Sequence, residues 1–197
     1  MEAYANLRPQ MKTGDIVLFS GKGGISTGIK WFTNSRWSHV GMVLRLIEWD
    51  AVLLWESTTL SNIADVESGK ERKGVQIVPL SERIKKYDGE ISVRMLDQKP
   101  TPEMHKELSL LREEVKGRPY EKSKIELFKA AYDGPFGRNN EDLSSLFCSE
   151  LVAEAYQRMG LLSEDKASNE YTPKDFSDAE KLKLLKGELS KEILIKE

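Results

Sequence analysis

The chain has 197 residues, 39% of them hydrophobic and 31% charged, with a formal net charge of −2. That profile belongs to a folded globular protein with one sizeable core, and it excludes a disordered chain. Near-neutral charge supplies no basic surface for nucleic acid or an anionic membrane, and one cysteine with two histidines excludes an internal disulfide and a closed cysteine-built zinc site.

No stretch reaches the roughly 18 apolar residues of a membrane span. The segment from Met1 to Met11 carries Glu2, Arg8 and Gln10 and has no apolar run of signal-peptide length. The expectation is a cytoplasmic protein, a single domain over residues 1–197, working without a metal or cofactor.

The first strand signal is Ile16-Val17-Leu18-Phe19, bounded by Gly14-Asp15 and Ser20-Gly21. Gly21-Lys22-Gly23-Gly24 follows as a turn; it lacks the order glycine, four residues, Gly-Lys-Ser/Thr, so it reads as a flexible loop and not a phosphate loop. Ile25, Ile29 and Phe32 recur at near-helical spacing and predict a short helix ending near Asn34. Residues 39–46 read as a strand, with Val40, Met42 and Leu44 on one face and His39, Gly41 and Val43 on the other. Glu48-Trp49-Asp50 is the expected turn into a second strand over residues 51–57. Residues 67–73 form a charged loop, and 75–79 and 91–95 complete an antiparallel sheet, with a short helix over 81–86 between them.

Thr101-Pro102 starts a helix with an N-cap hydroxyl and a proline at the first helical position; Leu108, Leu111 and Val115 mark its buried face and Gly117 ends it. A helix over 125–131 and a Gly/Asn/Asp-rich loop over 133–142 precede a helix from about Ser145 to Met159. Thr172-Pro173 repeats the N-cap-plus-proline pattern. The Lys/Glu-rich tail from Lys181 reads as a terminal helix or as frayed chain. The class is α+β: a small antiparallel sheet or barrel with packed helices.

Three residues carry chemistry. Cys148 precedes Leu151, Val152, Ala155, Tyr156 and Met159, which keep helical spacing, so it is expected in the first turn of an amphipathic helix. Free backbone N–H groups and the positive end of the helix dipole would favour a thiolate there and hold the oxyanion that its attack creates. A lone cysteine also serves as a small buried hydrophobe, and this stretch alone leaves both readings open. His39 opens an apolar strand and is the candidate base; the other histidine, His105, lies on a charged helix surface. Glu56 follows the apolar run Leu53-Leu54-Trp55, and a hairpin turning near Trp49 brings His39 opposite a residue within a few positions of it. A carboxylate there would orient the imidazole and stabilise the imidazolium, or else simply face water at a strand end. Glu150 is two residues from Cys148, which on a helix is roughly the opposite side. Trp31, Phe32 and Trp37 form either core or an apolar pocket near His39.

Taken together, Gly14-Asp15-Ile16-Val17-Leu18-Phe19, Trp37-Ser38-His39-Val40-Gly41-Met42-Val43, Trp55-Glu56-Ser57, Gly117-Arg118-Pro119-Tyr120, Phe147-Cys148-Ser149-Glu150-Leu151-Val152 and Tyr171-Thr172-Pro173-Lys174-Asp175-Phe176 carry a resemblance. The chain resembles the permuted papain-like branch of the NlpC-type superfamily, the YiiX/YaeF-like amidase group, related to lecithin retinol acyltransferase-like enzymes. The likeness runs from about residue 14 to 176, with the tail 177–197 beyond it, and the order His, acid, Cys marks the permutation. It implies a papain-like fold with Cys148 as nucleophile, His39 as base and Glu56 as the residue orienting the histidine. The activity it implies is thiol hydrolysis of an amide, in a peptide or an N-acyl or lipid-like substrate. Acyl transfer from the same acyl-enzyme and non-catalytic lipid or peptide binding are the alternatives.

Overall fold

The computed structural model describes residues 2–22, 35–118 and 142–197, with the backbone alone over 142–147. Its frame is a six-stranded open sheet of β1 (Ile16–Gly21), β2 (His39–Leu46), β3 (Ala51–Thr58), β4 (Gly74–Pro79), β5 (Gly89–Arg94) and β6 (Ile193–Lys196). The strands run antiparallel in the order β4-β3-β2-β1-β5-β6. Among the described residues four α-helices accompany them: α1 (Glu2–Leu7), α2 (Leu80–Lys86), α3 (Pro102–Val115) and α4 (Asp142–Arg158). The α+β class stands as the sequence predicts, as an open sheet and not a closed barrel. None of these helices is long and apolar enough to cross a membrane, among the described residues.

Strand alternation separates two cores. Ile16, Leu18, Val40, Met42, Trp55 and Ile77 share one face and pack with Leu108 and Leu111 of α3 and Leu151, Val152 and Tyr156 of α4. Val17, Phe19, Val43, Leu54, Val78, Ile91 and Val93 share the other, closed by Tyr4 and Leu7 of α1 and Leu80 and Ile84 of α2. The register keeps the two sets apart, with Leu18 opposite Val40, Met42 opposite Trp55 and Trp55 opposite Ile77. A slip of one residue would turn each set to the wrong side, at roughly 1.5–3 kcal/mol per large side chain displaced from its core.

Two local features support this frame. The β2–β3 turn over residues 47–50 places Asp50 at φ 46, a left-handed conformation that aspartate tolerates. At the start of β5, Gly89 has φ 147, and a Cβ there would lie 2.2 Å from the Ser20 carbonyl oxygen, so only glycine lets β5 close on the end of β1.

The structure corrects two expectations and leaves others outside its described residues. The tail is neither helix nor frayed: Ile193–Lys196 is an edge strand, with Ile195 buried. The open edge of β5 offers unpaired backbone donors and acceptors, and their pairing decides a segment whose Lys/Glu composition carries little strand signal. The helix that carries Cys148 spans Asp142–Arg158 and so starts earlier than the expected Ser145. The helices expected up to Asn34 and over 125–131, the loop over 133–141, and Trp31 and Phe32 lie outside the described residues. Thr172-Pro173 opens a single 3₁₀ turn, Pro173–Phe176, capped by Thr172 and Asp175.

Arg94 binds the tail to the sheet. Its guanidinium is buried and donates to four carbonyls: Ser190 (2.7 Å), Phe176 and Ser177 (2.9 Å each) and Leu189 (3.2 Å). Removing a charged donor strands those acceptors away from water. Arg94→Met is therefore expected to lose about 1–3 kcal/mol of stability in urea unfolding. Faster amide exchange in Ile193–Lys196 should accompany the loss.

Candidate active site

His39 opens β2 on the face shared with Gly41 and Val43. The pairing of Val43 with Leu54 puts Glu56 on that same face, diagonally across the hairpin. The two meet: His39 Nε2 lies 2.7 Å from Glu56 Oε2. An ionised carboxylate only accepts, so Nε2 is the donor and Nδ1 is left as the ring nitrogen for another partner.

Glu56 is fully buried, so its second oxygen must also be satisfied. Oε1 accepts from Arg83 Nε (2.9 Å) and Nη2 (2.6 Å) and from Gln76 Nε2 (3.2 Å). Gln76 pairs directly with Glu56 across β3 and β4 and also donates to the Leu60 carbonyl (3.3 Å). Arg83 comes from α2, where Leu80, Arg83 and Ile84 form one buried face at i, i+3 and i+4. Its remaining nitrogen, Nη1, donates to Asn62 Oδ1 at 2.9 Å. A fully buried guanidinium thus meets a fully buried carboxylate.

Cys148 is buried in α4, against the face of the sheet that carries Val40 and Met42. Its helix is tied down at two points. Ser149 Oγ donates to the Tyr171 carbonyl (2.6 Å), and Tyr156 Oη donates to the Gly14 carbonyl (2.5 Å), just before β1. Because Phe19 pairs with His39 while Gly14 bonds to Val43, α4 lies along β2 with its Cys148 end at His39. The thiol and the imidazole share a side-chain hydrogen bond. Cys148 does not sit in the first helical turn as expected: it is the seventh residue of the helix that starts at Asp142, so its own N–H lies beyond the free donors of the helix start.

The charges of this chain of groups are coupled. Burial is the largest influence on His39 and pushes its pKa down; the charge and hydrogen bond of Cys148, then those of Glu56, outweigh it and carry the pKa up to about 9. Burial pushes Glu56 up, and the charge of Arg83 with the hydrogen bond and charge of His39 bring it below the usual carboxylate value. Aromatic packing steadies the imidazole, with the Phe19 ring centroid 5.1 Å away and the Tyr87 ring edge-on to Phe19 at 5.0 Å. One residue before His39, Ser38 donates its N–H to the Phe19 carbonyl at 2.9 Å and is hydrogen-bonded by Tyr87. One residue earlier still, Trp37 Nε1 donates to Glu192 Oε1 of the tail at 2.7 Å.

The family model for permuted papain-like amidases of the YaeF/YiiX type, the C92 family, matches residues 10–194. The chain belongs to this family. As a C92 member it is a cysteine-type amidase or peptidase on a permuted papain-like fold. Among solved structures, it is similar to the metalloprotein yiiX from Escherichia coli O157:H7, at 22% identity and a TM-score of 0.50, over 76% of this chain and 67% of that one. That likeness concerns the fold. No curated protein matches the chain. The solved yiiX is described as a metalloprotein; among the described residues of this C92 chain, no group of three or more His, Cys, Asp or Glu is placed to hold a metal ion.

Sequence reasoning reached His39, Glu56 and Cys148 and passed over Arg83, Gln76 and Glu192. Arg83 had a usable signal, since it falls on the i, i+3, i+4 stripe with Leu80 and Ile84. Gln76 had a weaker one, a polar residue inside Val75-Gln76-Ile77-Val78. Glu192 had none, because its partner is Trp37, far away in the chain. His105 is exposed on α3, as expected.

Two outcomes follow from the geometry. Because Cys148 contributes most to raising His39, the imidazole should titrate near pH 9 in the native protein and clearly lower in Cys148→Ala, read by NMR of the ring protons. The sign for stability is the same: His39 holds extra protons in the native state from about pH 6.5 to 9, so its contribution is full below that window and lost on rising through it. The second outcome concerns the buried ion pair. Glu56→Gln and Arg83→Met should each cost about 3–5 kcal/mol, while the double variant regains much of that loss, because no uncompensated charge remains. Urea unfolding of the four proteins measures it.

Proposed function

We propose that this C92 enzyme hydrolyses an amide bond, in a peptide or an N-acyl compound, through a thioester on Cys148. The observation that supports this reading is the single imidazole of His39, hydrogen-bonded to the Cys148 thiol on one side and to Glu56 on the other. The reacting pair in this mechanism is a Cys148 thiolate and a His39 imidazolium. Sulfur attacks the carbonyl carbon, forming the C–S bond and moving the π electrons onto oxygen. When the tetrahedral intermediate collapses, the C–N bond breaks and His39 passes its proton to the departing amine. His39, now neutral, takes a proton from water as that water attacks the thioester; the acid leaves, and sulfur recovers its electron pair. Glu56 accepts from Nε2 throughout, so the proton-transferring nitrogen stays aimed at the sulfur.

Incubation with an activated ester or amide donor tests the reading. A burst of leaving group should give way to steady turnover with no acceptor added, and mass spectrometry should find the acyl group on Cys148. Cys148→Ala and His39→Ala should each lose about a thousandfold or more in kcat, with a smaller loss in Glu56→Gln. Turnover that stalls after the burst and resumes with an amine or alcohol would make the enzyme an acyltransferase. Absence of both phases, with ligand affinity intact in Cys148→Ala, would make it a binding module. The kcat/KM profile should be bell-shaped, with its alkaline limb near pH 9 as the imidazolium loses its proton.

A further inference from the structure

We propose that Arg83 is a positioning residue for this reaction: by taking Glu56 Oε1 with both Nε and Nη2, it keeps the carboxylate ionised in the core and leaves Oε2 alone to orient His39. The proposal rests on the reading of Cys148 and His39 given above and adds a residue that touches neither. Three donors converge on Oε1, from Arg83 Nε and Nη2 and Gln76 Nε2, whereas Oε2 receives only His39 Nε2 among the described contacts. The carboxylate therefore cannot swing without breaking the Arg83 fork, and Arg83 cannot swing without losing Asn62 at Nη1.

Charge makes the second half of the argument. In the mechanism proposed above, Cys148 from α4, His39 from β2, Glu56 from β3 and Arg83 from α2 act as thiolate, imidazolium, carboxylate and guanidinium, which sum to zero in a buried site. The described side chains that hydrogen-bond to Glu56 and Arg83 besides His39 carry no charge, Gln76 of β4 and Asn62, and burial pushes the nearby Tyr87 hydroxyl up to about 12. Lys86 is exposed and turned to the Asn62 carbonyl. With Arg83 removed, the site holds one net negative charge out of water, and the cheapest relief is a proton on Glu56. A neutral Glu56 no longer stabilises the imidazolium, so activity would acquire a dependence on ionising that carboxyl. In the native enzyme the charge of Arg83 and the hydrogen bond and charge of His39 hold that carboxyl below its usual range.

The test is the acid limb of kcat/KM in Arg83→Met, Arg83→Lys, Glu56→Gln and the double variant Glu56→Gln/Arg83→Met. In Arg83→Met the limb should move to higher pH by about one unit or more, a tenfold extra loss at pH 6 relative to its own plateau. Arg83→Lys keeps the charge and loses the fork, so its limb should stay in place while the plateau falls. In the Glu56→Gln background, removing Arg83 should not raise the limb, since no carboxyl remains to take the proton. If Arg83→Met does not fold, the lysine variant and the double variant carry the test, because neither leaves an unpaired buried charge. An unmoved limb in folded Arg83→Met, a shifted limb in Arg83→Lys, or a limb raised by Arg83→Met in the Glu56→Gln background overturns the proposal. Full turnover in Cys148→Ala or His39→Ala would instead overturn the function on which it rests.

Discussion

A carboxylate without access to water is the constraint on which the site depends. Glu56 is fully buried, and an isolated ion in such a place would neutralise itself by taking a proton. It stays ionised because two cations and an amide meet it from three directions: His39 from the neighbouring strand, Gln76 from the strand on the other side, and Arg83 from the helix that follows. Each partner is held by a different part of the frame. The register of β2 on β3 sets the first, that of β3 on β4 the second, and the packing of Leu80 and Ile84 the third. The polar network is thus a readout of the whole sheet edge, and the sheet in turn has its strand order pinned by a network that only one register satisfies.

The sheet also divides labour between its faces. One face carries the acid, the imidazole and their supports, under α1 and α2; the other carries the core against which α4 lies with Cys148. Contact between the two halves occurs where β2 begins, at His39. A residue at the first position of a strand is not enclosed by the sheet on its N-terminal side. The segment before it is anchored, by Ser38 to the Phe19 carbonyl and by Trp37 to Glu192. The tail therefore supports the site in two ways, through that indole hydrogen bond and through the four carbonyls gathered by Arg94.

Chain order has little hold on this arrangement. In this C92 chain the histidine and the acid come first, on a hairpin, and the cysteine comes much later, on a helix. What matters chemically is that a thiol, an imidazole and a carboxylate meet in sequence in space, and that can be met by any connectivity that brings one helix against one hairpin. Permutation moves the chain ends and leaves the packed elements where they are.

The amino-acid sequence by itself determined the strands around the site and the three chemical groups. The alternation over His39-Val40-Gly41-Met42-Val43, the polar turn at Glu48-Trp49-Asp50 and the apolar run ending at Glu56 are local signals, and local periodicity is enough to make a hairpin and to put its residues near one another. Helical spacing after Cys148 likewise specified a helix, although its first turn lies earlier than the strongest part of that spacing shows. Only the tertiary structure decided the rest. Arg83 is one basic residue among several in Arg83-Ile84-Lys85-Lys86 until the packing of α2 buries it on Glu56. The tail is a Lys/Glu-rich stretch until the free edge of β5 makes it a strand. Both outcomes are set by partners distant in the chain, whose hydrogen bonds and desolvation outweigh local preference and leave no mark on the segment itself.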